Sequence, residues 1–407
     1  MRKLSYALPL ARLVISIAIA GSAALAAAQR YSITNLGHLL TTKGEVDYWP
    51  AMSSDGSKVI GLTWSNANGY RNFYWDGTMH DMGGIYGNPP VAVSNDGTVI
   101  PNVNPARIWT LAGGTVSLLP GDPSAGSNAI NDDDVIVGRD STIGLCYSLS
   151  SSGWSATQLS PLSGYAHSGA TVIDNAGNIF GSSTVTGPGP CEATWWTLAN
   201  PLSPIDIGPL YIVTSTGSFV RGSMTCASFD STLGIARYVW TVSSTGQTFY
   251  SDSTGLTVQL PIPAGATSYT PSGMNSSGVV VGNGGNGHAY YWSPSAGQID
   301  LGLLPGTVSS SVFVHQNPLA KPIDDAGNIV GWCSTSNGAT TPFLSTPASR
   351  MTSAKLINLN TLLSNTLKSV GLTYLYQAIS TNAAGDILCI ASAPGNAQYI
   401  ALLKPVP

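Results

Sequence analysis

Five histidines, a run of three aspartates and ten tryptophans are the side chains of this chain with most capacity for chemistry. His38, His80, His167, His288 and His315 are scattered, and none has a local partner motif of the kind that builds a nucleophile–base pair. No Gly-x-Ser-x-Gly is present, so a serine-hydrolase elbow has no support. No His-Glu-x-x-His is present either. Asp132-Asp133-Asp134, Asp174 and Asp324-Asp325 are carboxylates of a type that ligates calcium. They stand at one repeated turn position, where the backbone itself wants an Asx side chain, and no full calcium-loop pattern surrounds them. No metal and no cofactor is expected. Trp75, Trp109, Trp196, Trp240 and Trp292 recur in phase and read as packing residues. Trp49, Trp64, Trp154 and Trp332 fall out of phase. Together with Asp47 and Tyr48, these four are the candidate ligand-binding residues, offering stacking faces for a neutral glycan; ordinary burial is the alternative.

The elements that must position these residues are set by a recurring phrase, Asx-x-x-Gly-x-apolar-apolar-Gly. It reads INDDDVIVG from Ile130, IDNAGNIFG from Ile173, MNSSGVVVG from Met274 and IDDAGNIVG from Ile323. Weaker copies begin at Ser53, Val93, Val213 and Thr381, and Pro101 and Cys389 replace the last glycine in two of them. Asx followed three residues later by Gly encodes a type I turn closed by a glycine bulge. The apolar run that follows suits a strand covered on both faces. An aromatic strand comes next (FYWDG, RIWTLAGG, TWWTLANP, YVWTVSSTG, YYWSPSAG), then a third element such as VSLLPGD or IDLGLLPG.

Between the turn residues Gly56, Gly97, Asp134, Gly177, Gly217, Gly278, Gly327 and Gly385 the steps are 41, 37, 43, 40, 61, 49 and 58 residues. A four-stranded propeller blade takes roughly 40–45 residues. The fold class expected is therefore all-β: one closed β-propeller over residues 29–407, with eight blades, or seven if the Pro101 unit merges with a neighbour. The long step from Gly217 is assigned to an inserted hairpin at Ser243–Gly255. The first strand after residue 29 is expected to complete the last blade, whose third element is missing.

Arg2 and Lys3, the apolar Leu13–Ala20 and the small residues Ala26-Ala27-Ala28 read as a cleaved signal peptide over residues 1–28. Cleavage leaves 13 basic against 20 acidic side chains, a net charge of −7. Only 9% of residues are charged, and the basic footprint of a nucleic-acid binder is absent. No membrane partner is expected after cleavage. The five cysteines, an odd number, leave at least one unpaired, and Cys191 with Cys226 is the favoured disulfide; burial as small apolar residues is the alternative.

The combination of the Asn-x-x-Gly-x-Val-Val-Gly phrase, the x-x-Trp strand and the Asp-Leu-Gly-x-Leu-x-Gly phrase resembles the HAF repeats of bacterial extracellular repeat proteins. IDLGLLPG at Ile299–Gly306 and MNSSGVVVG carry the likeness most closely. The resemblance implies a secreted propeller-like protein and transfers no catalytic residue. The function expected is a non-catalytic binding or interaction scaffold outside the cell or in the periplasm, with a neutral glycan or a surface protein as partner. The alternatives are an exported enzyme acting on a polysaccharide, which needs two carboxylates about 5–9.5 Å apart, and a structural surface protein.

Overall fold

In the computed structural model, residues 30–39, 46–65, 69–83, 89–102, 105–112, 116–118, 125–313, 321–351, 355–363, 366–394 and 398–406 are described. The segment read as a signal peptide and His315 lie outside them. The chain forms eight four-stranded antiparallel sheets in sequence order, the blades of a β-propeller, and one additional two-stranded hairpin. Blades 1 to 4 span 46–81, 92–118, 126–159 and 167–209; blades 5 to 7 span 223–259, 269–300 and 309–358. Blade 8 takes three strands from 374–406 and its fourth, Arg30–Asn35, from the start of the described chain. Ile33 pairs with Leu403 and Tyr31 with Pro405, so the ring is closed by the strand expected to close it. Closure matters because an unpaired strand edge is open to association with other chains.

The repeated phrase forms the turn between the first and second strands of a blade. In blade 4, Gly177 N–H donates to the Asp174 carbonyl (3.1 Å) and Asp174 N–H to the Asn178 carbonyl (3.0 Å). The Asp174 carboxylate accepts from Ala176 N–H and Asn178 N–H, which gives the Asx residue its structural purpose. Gly177 and Gly278 have φ of +79°, as the bulge requires. Blade 3 places Asp134 there instead, at φ +57°, with its carboxylate accepting from Ser94 of blade 2 at 2.5 Å.

The last glycine of the phrase has a different cause. The first strand of blade 4 is bulged between Ala170 and Val172. The neighbouring Gly169 carbonyl is thereby pressed onto Gly181, where a Cβ would overlap it. Gly138, Gly282 and Gly331 meet first-strand carbonyls in the same way. Where the glycine is replaced, the blade changes. Blade 2 ends its second strand at Ile100, before Pro101, and pairs only two residues there. Blade 8, with Cys389, carries two register shifts in its first strand.

The core lies between blades. Trp109, Trp196, Trp240 and Trp292 are buried there, and Trp75 is partly buried. Trp240 stacks on Phe249 at 4.3 Å, and Tyr250 of blade 5 meets Trp292 of blade 6 at 4.9 Å.

Three expectations are corrected. Val213–Gly222 is not the first turn of a blade: Tyr211–Val213 and Phe219–Arg221 form the separate hairpin. Blade 5 begins after it and turns at Asp230–Gly234. Ser243–Gly255, read as the insertion, is the third strand of blade 5 with its flanking turns. The Cys191–Cys226 disulfide is also absent, and all five cysteines are free thiols. Cys191 packs in the cluster between blades 4 and 5 with Ala236, Tyr238 and Trp240. Cys226 packs in the next cluster, between blades 5 and 6, against Val239, Tyr250 and Tyr269. The first strand of blade 5 brings Cys226 to the face turned away from Cys191.

Candidate functional site

The four out-of-phase tryptophans do not form one platform. Trp49 and Trp64 lie on the first and second strands of blade 1, Trp154 on the fourth strand of blade 3, and Trp332 on the second strand of blade 7. Trp49 is 45% exposed, whereas the other three are partly buried. Trp64 lies 6.5 Å from Tyr70, Trp154 packs on the core between blades 2 and 3, and Trp332 lies 6.3 Å from Phe313. Asp47 and Tyr48 pair with Thr63 and Leu62 through the backbone; their side chains lie outside the described set.

Two histidines have carboxylate partners that a local reading missed. His288 Nδ1 lies 2.8 Å from Asp300, twelve residues away, brought together at one end of blade 6. Acyl transfer also needs a nucleophile on such an imidazole. Among the described residues, no hydrogen bond joins His288 to a hydroxyl. His80 Nε2 contacts both Asp76 (2.9 Å) and Thr78 (2.8 Å), using one nitrogen for both within a tight turn. The acidic turns mainly bridge blades: Asp132 accepts from Ser54 and Asn175, and Ser276 N–H donates to Asp325. Among the described residues, no group of three or more potential ligands is placed to hold a metal ion.

The feature that breaks the repeat is the hairpin Tyr211–Arg221. It leaves the fourth strand of blade 4 and enters the first strand of blade 5, on the face opposite the phrase turns. Its two faces differ in what they meet. Ile212 and Val220 form a cross-strand pair packed on the core between blades 4 and 5. Tyr211, Val213, Phe219 and Arg221 share the other face by strand alternation. Arg221 fastens that face to the loop of blade 4, donating to the carbonyls of Val185 (3.0 Å), Gly187 (2.5 Å) and Gly189 (2.9 Å). Val213 and Phe219 are 57% and 43% exposed, and Tyr211 meets Phe219 edge-on at 5.2 Å.

A group of titratable side chains surrounds Glu192. The Tyr165 hydroxyl donates to Glu192 Oε1 at 3.0 Å. Partial burial, followed by the charge of Asp206, holds the Glu192 carboxyl above the usual glutamate value despite that hydrogen bond. Burial first, then Glu192 and Asp206, push the Tyr211 phenol up. Tyr165 is raised by burial and by its bond to Glu192. Asp206 is exposed and accepts from Gly208 N–H at 2.9 Å. The sequence held one signal for this site: Glu192 is one of only two glutamates in the chain.

The arrangement can bind through aromatic edges, exposed apolar surface and two neighbouring carboxyl groups. The ring of blades defines the class: an eight-bladed β-propeller. Among solved structures, the chain is similar to the Dos1 propeller at 12% identity, covering 92% of this chain and 95% of that one, with a TM-score of 0.52. It also aligns with Porphyromonas gingivalis dipeptidyl peptidase 4 (13% identity, 88% of this chain, 58% of that one, TM-score 0.47) and with an oligogalacturonate lyase in complex with manganese (11%, 93% and 94%, 0.41). At these identities the likeness concerns the fold alone. No family model matches the chain, and no curated protein matches it.

Proposed function

We propose that this is an exported, non-catalytic HAF-like repeat propeller that engages a partner through the face bearing the inserted hairpin. The observation that carries this reading is the hairpin itself. Repeated positions are committed to turns, closure and blade packing, whereas the hairpin breaks the repeat and presents Tyr211, Val213 and Phe219 on one face. Binding residues commonly sit on irregular segments held by a rigid scaffold. Export rests on the signal-like residues 1–28, and a non-catalytic role on the motif content of the chain. No helix among the described residues is long and apolar enough to cross a membrane.

A second reading, an exported enzyme acting on a polysaccharide, draws on Glu192 and Asp206, neighbouring carboxyl groups of which one has a raised pKa. Glycan and peptide arrays, together with a panel of polysaccharide substrates, separate the two. The proposal expects array signal from the wild type that disappears when Tyr211–Arg221 is replaced by a two-residue turn, and no turnover. Turnover lost in Glu192→Gln would establish the enzyme instead.

A further inference from the structure

The partner's chemistry can be read from the hairpin and the top of blade 4, given that this face is the working one. From Asp140 to Val220 the chain contains no lysine or arginine, and Glu192 and Asp206 lie in that stretch. The next cation, Arg221, is held in place by three backbone carbonyls, keeps its charge, and makes no ion pair with either carboxylate. Among the described residues, no ion pair involves Glu192 or Asp206. Glu192 and Asp206 thus carry two negative charges without an ion-pair partner among the described residues, against the single charge of Arg221, and Glu192 is partly buried. Tyr165 and Tyr211 flank this pair, and aromatic rings beside carboxylates favour a cation.

The hairpin adds an apolar component. Val213 and Phe219 are directly opposed across the strand pair and exposed. Scattered apolar side chains are ordinary on a surface; an opposed pair on a hairpin whose other face is already packed is not explained by folding. Tyr211 and Phe219 stand at 71° to each other, which is not the coplanar platform on which a sugar ring stacks.

We propose that this corner receives a basic, apolar segment of a protein partner. A lysine or arginine of that segment meets Glu192 and Asp206 between Tyr165 and Tyr211, and an adjacent apolar side chain covers Val213 and Phe219. Attraction between complementary charges then steers the encounter, and apolar contact holds it.

The test is isothermal titration of the full chain with three probes at neutral pH and physiological salt: a nine-residue alternating Lys/Leu peptide, its Glu/Leu counterpart, and cellohexaose. The Lys/Leu peptide should bind, and the Glu/Leu peptide should not. Glu192→Gln and Phe219→Ala should each weaken the Lys/Leu peptide roughly tenfold, the order expected for losing one partly desolvated charge contact or one apolar anchor. Asp206→Asn, at an exposed position, gives a second charge variant, and melting curves verify that each variant is folded. Equal binding of the two peptides, or wild-type affinity in folded Glu192→Gln and Phe219→Ala, would overturn the proposal. Cellohexaose binding that needs the hairpin, without Lys/Leu binding, would overturn the cationic partner and leave the working face standing. Binding of any probe that survives replacement of the hairpin would overturn both.

Discussion

Gly181 carries more of the architecture than its size implies. Its missing Cβ leaves room for the carbonyl of the bulged strand beside it, so Gly181→Ala should destabilise the protein by about 1–3 kcal/mol, the usual cost of overpacking. Denaturant melts check this, and an unchanged midpoint would remove the explanation for the last glycine of the phrase. The turn glycines make a graded series. Valine opposes a positive φ at every one of them, costing about 1 kcal/mol or more. At Gly278 its Cβ would also meet Arg237 at 2.8 Å and the Tyr250 hydroxyl at 2.9 Å, whereas at Gly327 the nearest atom is 3.4 Å away. Gly278→Val should therefore cost more than Gly327→Val. Glu192 has its own signature. Its pKa is raised in the fold, so the folded state holds that proton more tightly than the unfolded chain. Its stabilising contribution is present at low pH and is lost as pH rises from the ordinary glutamate value through the raised one. Glu192→Gln should abolish that slope in a pH series of melting temperatures, and an unchanged slope would assign it to other groups. The turn glycines and Asx residues were legible in sequence because their reasons are local. Glu192 was not, because Tyr165, Asp206 and Tyr211 reach it only through strand pairing and the passage from blade to blade.

At the scale of elements, the same local chemistry misled. VTSTGSFVRG forms the expected turn, with Gly217 at φ +79° and Thr214 N–H bonded to the Ser218 carbonyl at 2.9 Å. A turn does not specify whether the hairpin it closes belongs to a blade. Here the strands are three residues each and join no further sheet. The true first turn of blade 5, Asp230–Gly234, lacks the phrase and is secured differently: Arg237 pairs with Asp230 at 3.0 Å and reaches the Ser276 carbonyl of blade 6 at 2.6 Å. Arg237→Ala should thus destabilise the junction of blades 5 and 6, since Arg237 is 7% exposed and its loss leaves a partly buried carbonyl unpaired. Hydrogen exchange should show faster exchange confined to those two blades; uniform change around the ring would count against an inter-blade clamp.

At the scale of the whole molecule, period and closure could be read from sequence because each blade repeats the same pattern and the ends complement each other. Deleting residues 29–40 should lower the melting temperature by several degrees, since blade 8 would lose its fourth strand and expose an edge. The hairpin, by contrast, is an addition to the ring. Gly222 N–H bonds to the Leu210 carbonyl at 2.7 Å, so the chain already meets itself at the hairpin's base. An Asn-Gly turn in place of residues 211–221 suits that geometry. The most direct measurement is to melt this shortened protein and titrate it beside the wild type with the Lys/Leu peptide. A folded propeller that has lost binding is the predicted result; a folded propeller that binds as the wild type does would contradict the assignment of function to the hairpin face.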